Sequence, residues 1–299
     1  MPGINSWVKA ARLRTLPLAL SSIAMGGFLA ANHPRFNLTA VILAGITTLF
    51  LQILSNLAND YGDSISGVDS TNRIGPARTV QSGEISPQQM KKAVLLFVVL
   101  SLLSGLLLIN YTVGISSAIS IVFILLGIVS IAAAIKYTVG KNPYGYAGLG
   151  DLFVFIFFGL LGVCGTYFLA TINWDSAVLM PAAAMGLLST GVLNLNNMRD
   201  AASDKLNGKN TMAVKIGARA SLIYHTFLVL FPFLLLFIYV ILRYNAFQSY
   251  AFLLLLPFFV LDLWNISNIT DAQKLDPFLK KLAIKTLLLT LVFGLGIMI

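Results

Sequence analysis

The sequence predicts an all-α polytopic membrane protein with nine transmembrane helices and a cytoplasmic N-terminus. Three observations carry this. The chain is 58% hydrophobic and only 10% charged, with a mean hydropathy of +0.86, whereas soluble domains carry about 25% charge. Charge-free apolar windows recur along all 299 residues, and most are near the length of about 20 residues that a spanning helix needs. The basic residues fall on alternate loops, as the positive-inside rule requires.

Taken in order, the apolar windows are 15–34, 36–59, 93–135, 152–174, 176–198, 220–242, 244–261 and 282–299. The window 93–135 is long enough for two helices, and Asn110–Gly114 supplies a turn between them. The predicted spans are therefore 16–34, 38–59, 89–109, 114–136, 149–171, 175–198, 219–242, 247–268 and 281–299. With the N-terminus in the cytoplasm, 18 of the 20 Lys and Arg residues lie on that side; only Arg35 and Arg243 fall outside, as does the C-terminus. Merging or splitting one span would scramble this bias. The bias also accounts for the net charge of +9 without a nucleic-acid partner. The N-terminal stretch has no A-x-A-like site after a short apolar core, so it reads as mature sequence. The lone Cys164 lies within a span, so no disulfide framework or thiol metal site is expected.

Five of the 11 acidic residues sit in two stretches. Residues 56–69 read N-L-A-N-D-Y-G-D-S-I-S-G-V-D and carry Asn56, Asp60, Asp63 and Asp69; residues 196–204 read N-N-M-R-D-A-A-S-D and carry Asn196, Asp200 and Asp204. Both contain N-x-x-x-D, and both end an apolar span on the predicted cytoplasmic face. Asn56, Asp60 and Asp63 share one helix face, as do Asn196, Asp200 and Asp204. Carboxylates this close either protonate or bind hard cations. Oxygen donors without His or Cys favour Mg2+, which is often shared with substrate phosphates. The two stretches end helices 2 and 6, which run the same way. They suggest one domain over 1–299, with helices 1–4 and 5–8 as an internal repeat facing a central cavity.

A basic, hydroxyl-bearing shell follows in the same loops. It comprises Arg73, Arg78, Thr79 and Ser82, then Lys136, Tyr137 and Lys141, then Arg199, Lys205, Lys209 and Thr211. Cations beside a carboxylate-held metal suit a diphosphate. The positive-inside rule alone explains Lys91, Lys92, Lys215, Arg219 and the lysines between 274 and 285. Asp151 reads either as a helix-dipole partner or as a functional acid. Asp262, inside helix 8, is a candidate cavity residue. His33 and His225 read as structural.

These strings resemble the UbiA superfamily of intramembrane aromatic prenyltransferases. Tyr137–Lys141 (Y-T-V-G-K) looks like that family's Y-x-x-x-K loop. Three strings are most similar to the branch that prenylates 1,4-dihydroxy-2-naphthoate in menaquinone biosynthesis: S-N-L-A-N-D-Y-G-D-x-x-x-G-x-D with R-I-G-P-A-R, Y-T-V-G-K-N-P-Y-G-Y-x-G-L-G-D, and N-N-x-R-D-x-x-x-D-x-x-x-G-K-x-T. The resemblance implies a UbiA-like helical fold in the bacterial cytoplasmic (inner) membrane, with the active site facing the cytoplasm. The implied substrates are a polyprenyl diphosphate and 1,4-dihydroxy-2-naphthoate. Mg2+ would be held by Asp60, Asp63, Asp200 and Asp204, and diphosphate by Asn56, Arg73, Arg78, Lys141, Asn196, Arg199 and Lys209. Tyr137 and Lys141 join the catalytic set through the family's loop. The family's first motif is often written N-x-x-x-D-x-x-x-D, but position 64 here is Ser. Either Asp63 or Asp69 completes it, and Asp63, one turn from Asp60, is the expectation. Rival readings are a sibling enzyme with another acceptor or a phytyl donor, and a divalent-cation transporter. Transport would need a polar path to the outer face, but the apolar windows of helices 2 and 6 (36–59 and 176–198) carry no acid on their outer halves.

Overall fold

Long apolar runs can satisfy their backbone N–H and C=O groups inside a bilayer only as helices or closed barrels, and this chain uses helices. The computed structural model describes residues 2–66 and 78–299, and no strand occurs among them. The helices are α1 (Ile4–Ala11), α2 (Leu16–Ala31), α3 (Leu38–Ile65), α4 (Pro87–Thr112), α5 (Ala118–Lys136), α6 (Gly150–Val154), α7 (Gly165–Thr171), α8 (Leu179–Leu206), α9 (Met212–Arg243), α10 (Leu256–Ser267) and α11 (Asp276–Met298). Polar caps set several starts. Asn37 accepts from the Ala40 N–H at 3.1 Å to open α3. Ser86 and Gln89 form a reciprocal capping box at α4, and Ser117 caps α5.

Among the described residues, eight helices are long and apolar enough to cross a bilayer, and the protein is an integral membrane protein. The count reaches nine when α1 and α2, which meet at a 55° bend, are taken as one broken span. The first predicted span is thus shorter than expected. Alone, α2 has 16 residues, about 24 Å, because the chain turns at His33–Phe36.

Three further spans depart from a uniform α-helix. The fifth runs from α6 through a π-helical segment, Phe155–Cys164, into α7. Its Gly159 lies almost backbone to backbone on α8. A Cβ on Gly159 would meet the Ala182 carbonyl oxygen at 2.6 Å and Gly186 Cα at 2.7 Å. The eighth span opens as a 3₁₀ helix over Phe247–Leu255 before α10. The seventh starts at Met212, ahead of the expected 219, with a break at Gly217 (φ 79°) where only glycine is unstrained.

The helix α8 sits at the centre. Met185, Leu188 and Leu195 are fully buried against α9, α11 and the π segment. A second apolar cluster, with Leu54, Leu57, Ile85 and Met90, ties α3 to α4. The helices enclose a cavity of about 390 Å³ bordered by α2, α3, α4, α5, the α6–α7 span, α8 and α11. Along α3 it extends from Asn59 to Ala44, about 22 Å of helix. Its deep end is apolar, with Ile23, Leu108, Phe123 and Leu169; its mouth is polar, with Thr15, Gln52, Asn56 and Asn196.

Candidate active site

The last turns of α3 and α8 carry the two acidic stretches, and the fold brings them to one place. A polar pocket of about 60 Å³ is lined by Asp63 and Asn59 from α3, by Asn196, Asn197, Asp200, Ser203 and Asp204 from α8, and by Arg78, Tyr137, Tyr146 and Lys209 from the loops. Asn59, Arg78, Tyr137 and Asn196 also border the large cavity, so the polar pocket sits at its mouth.

Asp60, Asp63 and Asp200 have charged or hydroxyl partners. Asp60 is 2% exposed. It pairs with Arg12 and Arg78 and accepts from the Thr79 hydroxyl at 3.1 Å. Asp63 is fully buried. It accepts from Arg78 and from the Tyr146 hydroxyl, and Lys209 Nζ lies 3.2 Å away. Lys209 also sits over the Tyr146 ring, 4.5 Å from its centre. Asp200 receives a bidentate pair from Arg199, at 2.8 and 2.7 Å. The Arg199 guanidinium also reaches Asn196 Oδ1 at 2.8 Å and Asp276 of α11. Such a fork fixes both distance and plane. Arg199 lines neither cavity; it is 1% exposed and aims Asp200 from behind. Burial, and after it the charge of Arg12, push the Arg78 guanidinium down to about 9, with Asp60 pulling the other way. An added anion would favour its charged form further. Burial raises Tyr137, which stays a phenol and a hydrogen-bond donor.

The donor set suits Mg2+. The pocket offers Asp, Asn and Ser oxygens and no His or Cys. Among the described residues no three His, Cys, Asp or Glu side chains gather around one point. Mg2+ tolerates that, because it typically takes one or two carboxylates and completes its shell with water and phosphate oxygens.

The remaining sequence candidates are placed as follows. Asn56 lines the large cavity and donates to the Ala11 carbonyl at 2.9 Å. Lys141 is exposed and lines neither cavity. Asp69 and Arg73 lie outside the described residues. Asp151 is buried and bonded to Tyr224, and lines neither cavity. Asp262, expected as a cavity candidate, pairs with Lys285 at 2.7 Å on the α10–α11 side. His225 is buried, and His33 accepts from the Arg35 N–H in a turn.

The sequence reading missed Arg12, Asn59, Tyr146, Asn197 and Ser203. Tyr146 was visible within its Gly/Tyr loop. Nothing in the sequence joins Arg12 to Asp60; the contact arises because Arg12 takes a left-handed conformation (φ 51°) between α1 and α2.

Known proteins share this chain's sequence pattern and fold. The UbiA prenyltransferase family pattern matches residues 19–287. A protein named 1,4-dihydroxy-2-naphthoate octaprenyltransferase from Haemophilus influenzae is 42% identical over 99% of this chain and 96% of its own length. One of the same name from Escherichia coli is 42% identical over 98% and 95%. A UbiA homolog from Archaeoglobus fulgidus bound to GPP and Mg2+ shares the fold, with a TM-score of 0.70 at 16% identity over 98% of this chain and 100% of that one. With acid-bearing helix ends meeting at the mouth of one intramembrane cavity, and a family match across most of its length, the chain belongs to the UbiA prenyltransferase family.

Proposed function

We propose that this enzyme transfers a polyprenyl group from polyprenyl diphosphate to 1,4-dihydroxy-2-naphthoate, releasing diphosphate and CO2 and giving demethylmenaquinol. One observation carries the reading. A pocket of carboxylates and cations opens onto an apolar cavity about 22 Å deep, which is the shape and polarity of a prenyl diphosphate. Strong identity to the two bacterial octaprenyltransferases supports the choice of acceptor.

When bound, Mg2+ ions would supply charge neutralisation on the diphosphate; Asp60 and Asp63 on α3 and Asp200 and Asp204 on α8 would hold them, a pair of carboxylates from each helix, with Asn59, Asn196 and Asn197 offering neutral oxygens. Arg78 and Lys209 face the same pocket and bind the diphosphate oxygens. Arg199 orients Asp200. The allylic C–O bond breaks with its electron pair going to the diphosphate, whose charge the cations stabilise. The ring carbon bearing the carboxylate gives a pair to the allylic carbon. The C–CO2 bond then breaks, and its pair restores the aromatic ring. Because CO2 leaves in place of a proton, no side chain is needed as a base at that carbon. Leu18, Leu51, Val192 and Leu193 line the cavity within two turns of Thr15, Gln52, Asn56 and Asn196 and keep water from the cation.

On this reading the pocket lies on the cytoplasmic face of a bacterial cytoplasmic membrane, as the loop charges favour, and α3 and α8 are equivalent members of two repeated halves. Lys141 belongs to the diphosphate set only on the family's loop pattern; an unchanged KM for prenyl diphosphate in Lys141→Ala removes it. The test of function is product formation by purified protein in lipid, with Mg2+, a polyprenyl diphosphate and a choice of acceptors. Preference for 4-hydroxybenzoate or homogentisate would move the chain to a sibling activity. Divalent-metal uptake into proteoliposomes lacking prenyl diphosphate would favour transport, against which the apolar deep end of the cavity argues.

A further inference from the structure

The donor's phosphates have their partners in the polar pocket, but the proposed acceptor is an anion as well, and its carboxylate needs a cation of its own. Among the described residues, three cations border the large cavity: Arg12, Arg78 and Lys280. Arg12 is engaged by Asp60, and Arg78 by Asp60 and Asp63. Lys280, on α11, has no ion-pair or hydrogen-bond partner among the described residues. Its basic neighbours on the same helix are engaged elsewhere: Lys281 lies over the Phe278 ring at 4.6 Å, and Lys285 pairs with Asp262 at 2.7 Å.

Helix periodicity sets the height of Lys280. The Arg199 guanidinium ties Asp276 of α11 to Asp200 and Asn196 of α8. One turn beyond Asp276, α11 presents Lys280; one turn before Asp200, α8 presents Asn196. Both border the large cavity at its mouth, and Asn196 also borders the diphosphate pocket. Lys280 therefore stands level with Asn196 at the cavity mouth, exposed and outside the lining of the polar pocket, while its neighbour Leu279 is buried.

We propose that Lys280 binds the carboxylate of the aromatic acceptor and makes the enzyme selective for hydroxyaryl carboxylates. The inference rests on the proposed prenyl transfer. It places the acceptor ring in the apolar cavity and the carboxylate at the mouth, on the α11 side. The ion pair vanishes when the carboxylate departs as CO2, so the neutral product is not held by this contact.

The experiment uses full-length protein in nanodiscs of neutral phosphatidylcholine, comparing wild type with Lys280→Gln and Lys280→Arg. Two readouts are taken: steady-state KM for each substrate, and equilibrium binding of the redox-stable analogues 1-hydroxy-2-naphthoate and 1-naphthol. In Lys280→Gln, the acceptor KM and the Kd for 1-hydroxy-2-naphthoate are expected to rise roughly 10-fold or more, the scale of a lost charge-assisted hydrogen bond. The donor KM and 1-naphthol binding stay within about twofold, and Lys280→Arg recovers most of the loss. A rise in donor KM alone would assign Lys280 to the diphosphate and overturn the proposal. An effect present only when anionic lipid is added would assign it to a lipid headgroup and overturn the proposal equally. No change in either readout overturns it too. Failure of the wild type to prenylate 1,4-dihydroxy-2-naphthoate would count against the functional reading, while the analogue-binding arm still tests Lys280 on its own.

Discussion

Asp63 concentrates the site's chemistry at one side chain. It is fully buried and meets Arg78, Lys209 and the Tyr146 hydroxyl. Asp63→Asn keeps the shape and removes the charge. Prenyl transfer is expected to fall by about 10²–10³-fold, the scale of losing one preorganised electrostatic group, while helical circular dichroism in detergent is unchanged. Near-normal turnover would remove Asp63 from the site. Tyr146→Phe keeps the ring under Lys209 and loses the hydroxyl that donates to Asp63 and also meets the exposed Ser66 hydroxyl at 3.2 Å. A drop of about fivefold in kcat/KM is expected, matching roughly 1 kcal/mol for one such bond. Asp63 was legible beforehand because its spacing puts it on the face of Asn56 and Asp60. Arg12 was not, because an unusual backbone angle, rather than any periodicity, brings it to Asp60.

At the scale of elements, the spanning helices were legible wherever hydropathy and a cap agree, as at Ser86 of α4 and Ser117 of α5. The π segment was not. Its hydrophobic run has no feature that separates i→i+5 from i→i+4 bonding; its cause is tertiary, the close seating of Gly159 on α8. Gly159→Val is therefore expected to cost about 1–3 kcal/mol through overpacking, read as a lower thermal midpoint in detergent. Gly127 has open space where a Cβ would go, so Gly127→Ala should leave the midpoint where it is or raise it. Equal losses in both variants would show that the packing at Gly159 is not special. The two long helices α3 and α8 place their acids by length alone, since each extends beyond its apolar part to carry the polar turns into the pocket.

For the whole molecule, loop charges and apolar windows sufficed for the helical membrane fold, and matched motifs pointed to a shared pocket. The long-range pairings that shape it, such as Arg199 with Asp276 and Lys209 with Asp63, join residues that no local pattern links. Chelation of divalent metal is expected to abolish transfer and leave the helical spectrum intact, with Mg2+ restoring turnover; activity in excess chelator would refute the metal assignment. The ion pairs at Asp63 carry a thermodynamic consequence. The same carboxylate that would hold a metal now holds Arg78 and Lys209, the cations assigned to the diphosphate. A metal arriving at Asp63 releases them, and a diphosphate arriving at them releases Asp63, so each ligand removes the competitor of the other. Their affinities must then rise together by one common factor, whichever binds first. Titrating Mg2+ with and without a non-hydrolysable prenyl diphosphate analogue, and the reverse, measures that factor twice. A factor of one in both directions would mean that the latch of Asp63 to its two cations is not undone on binding, and that the enzyme loads its metal and its donor independently.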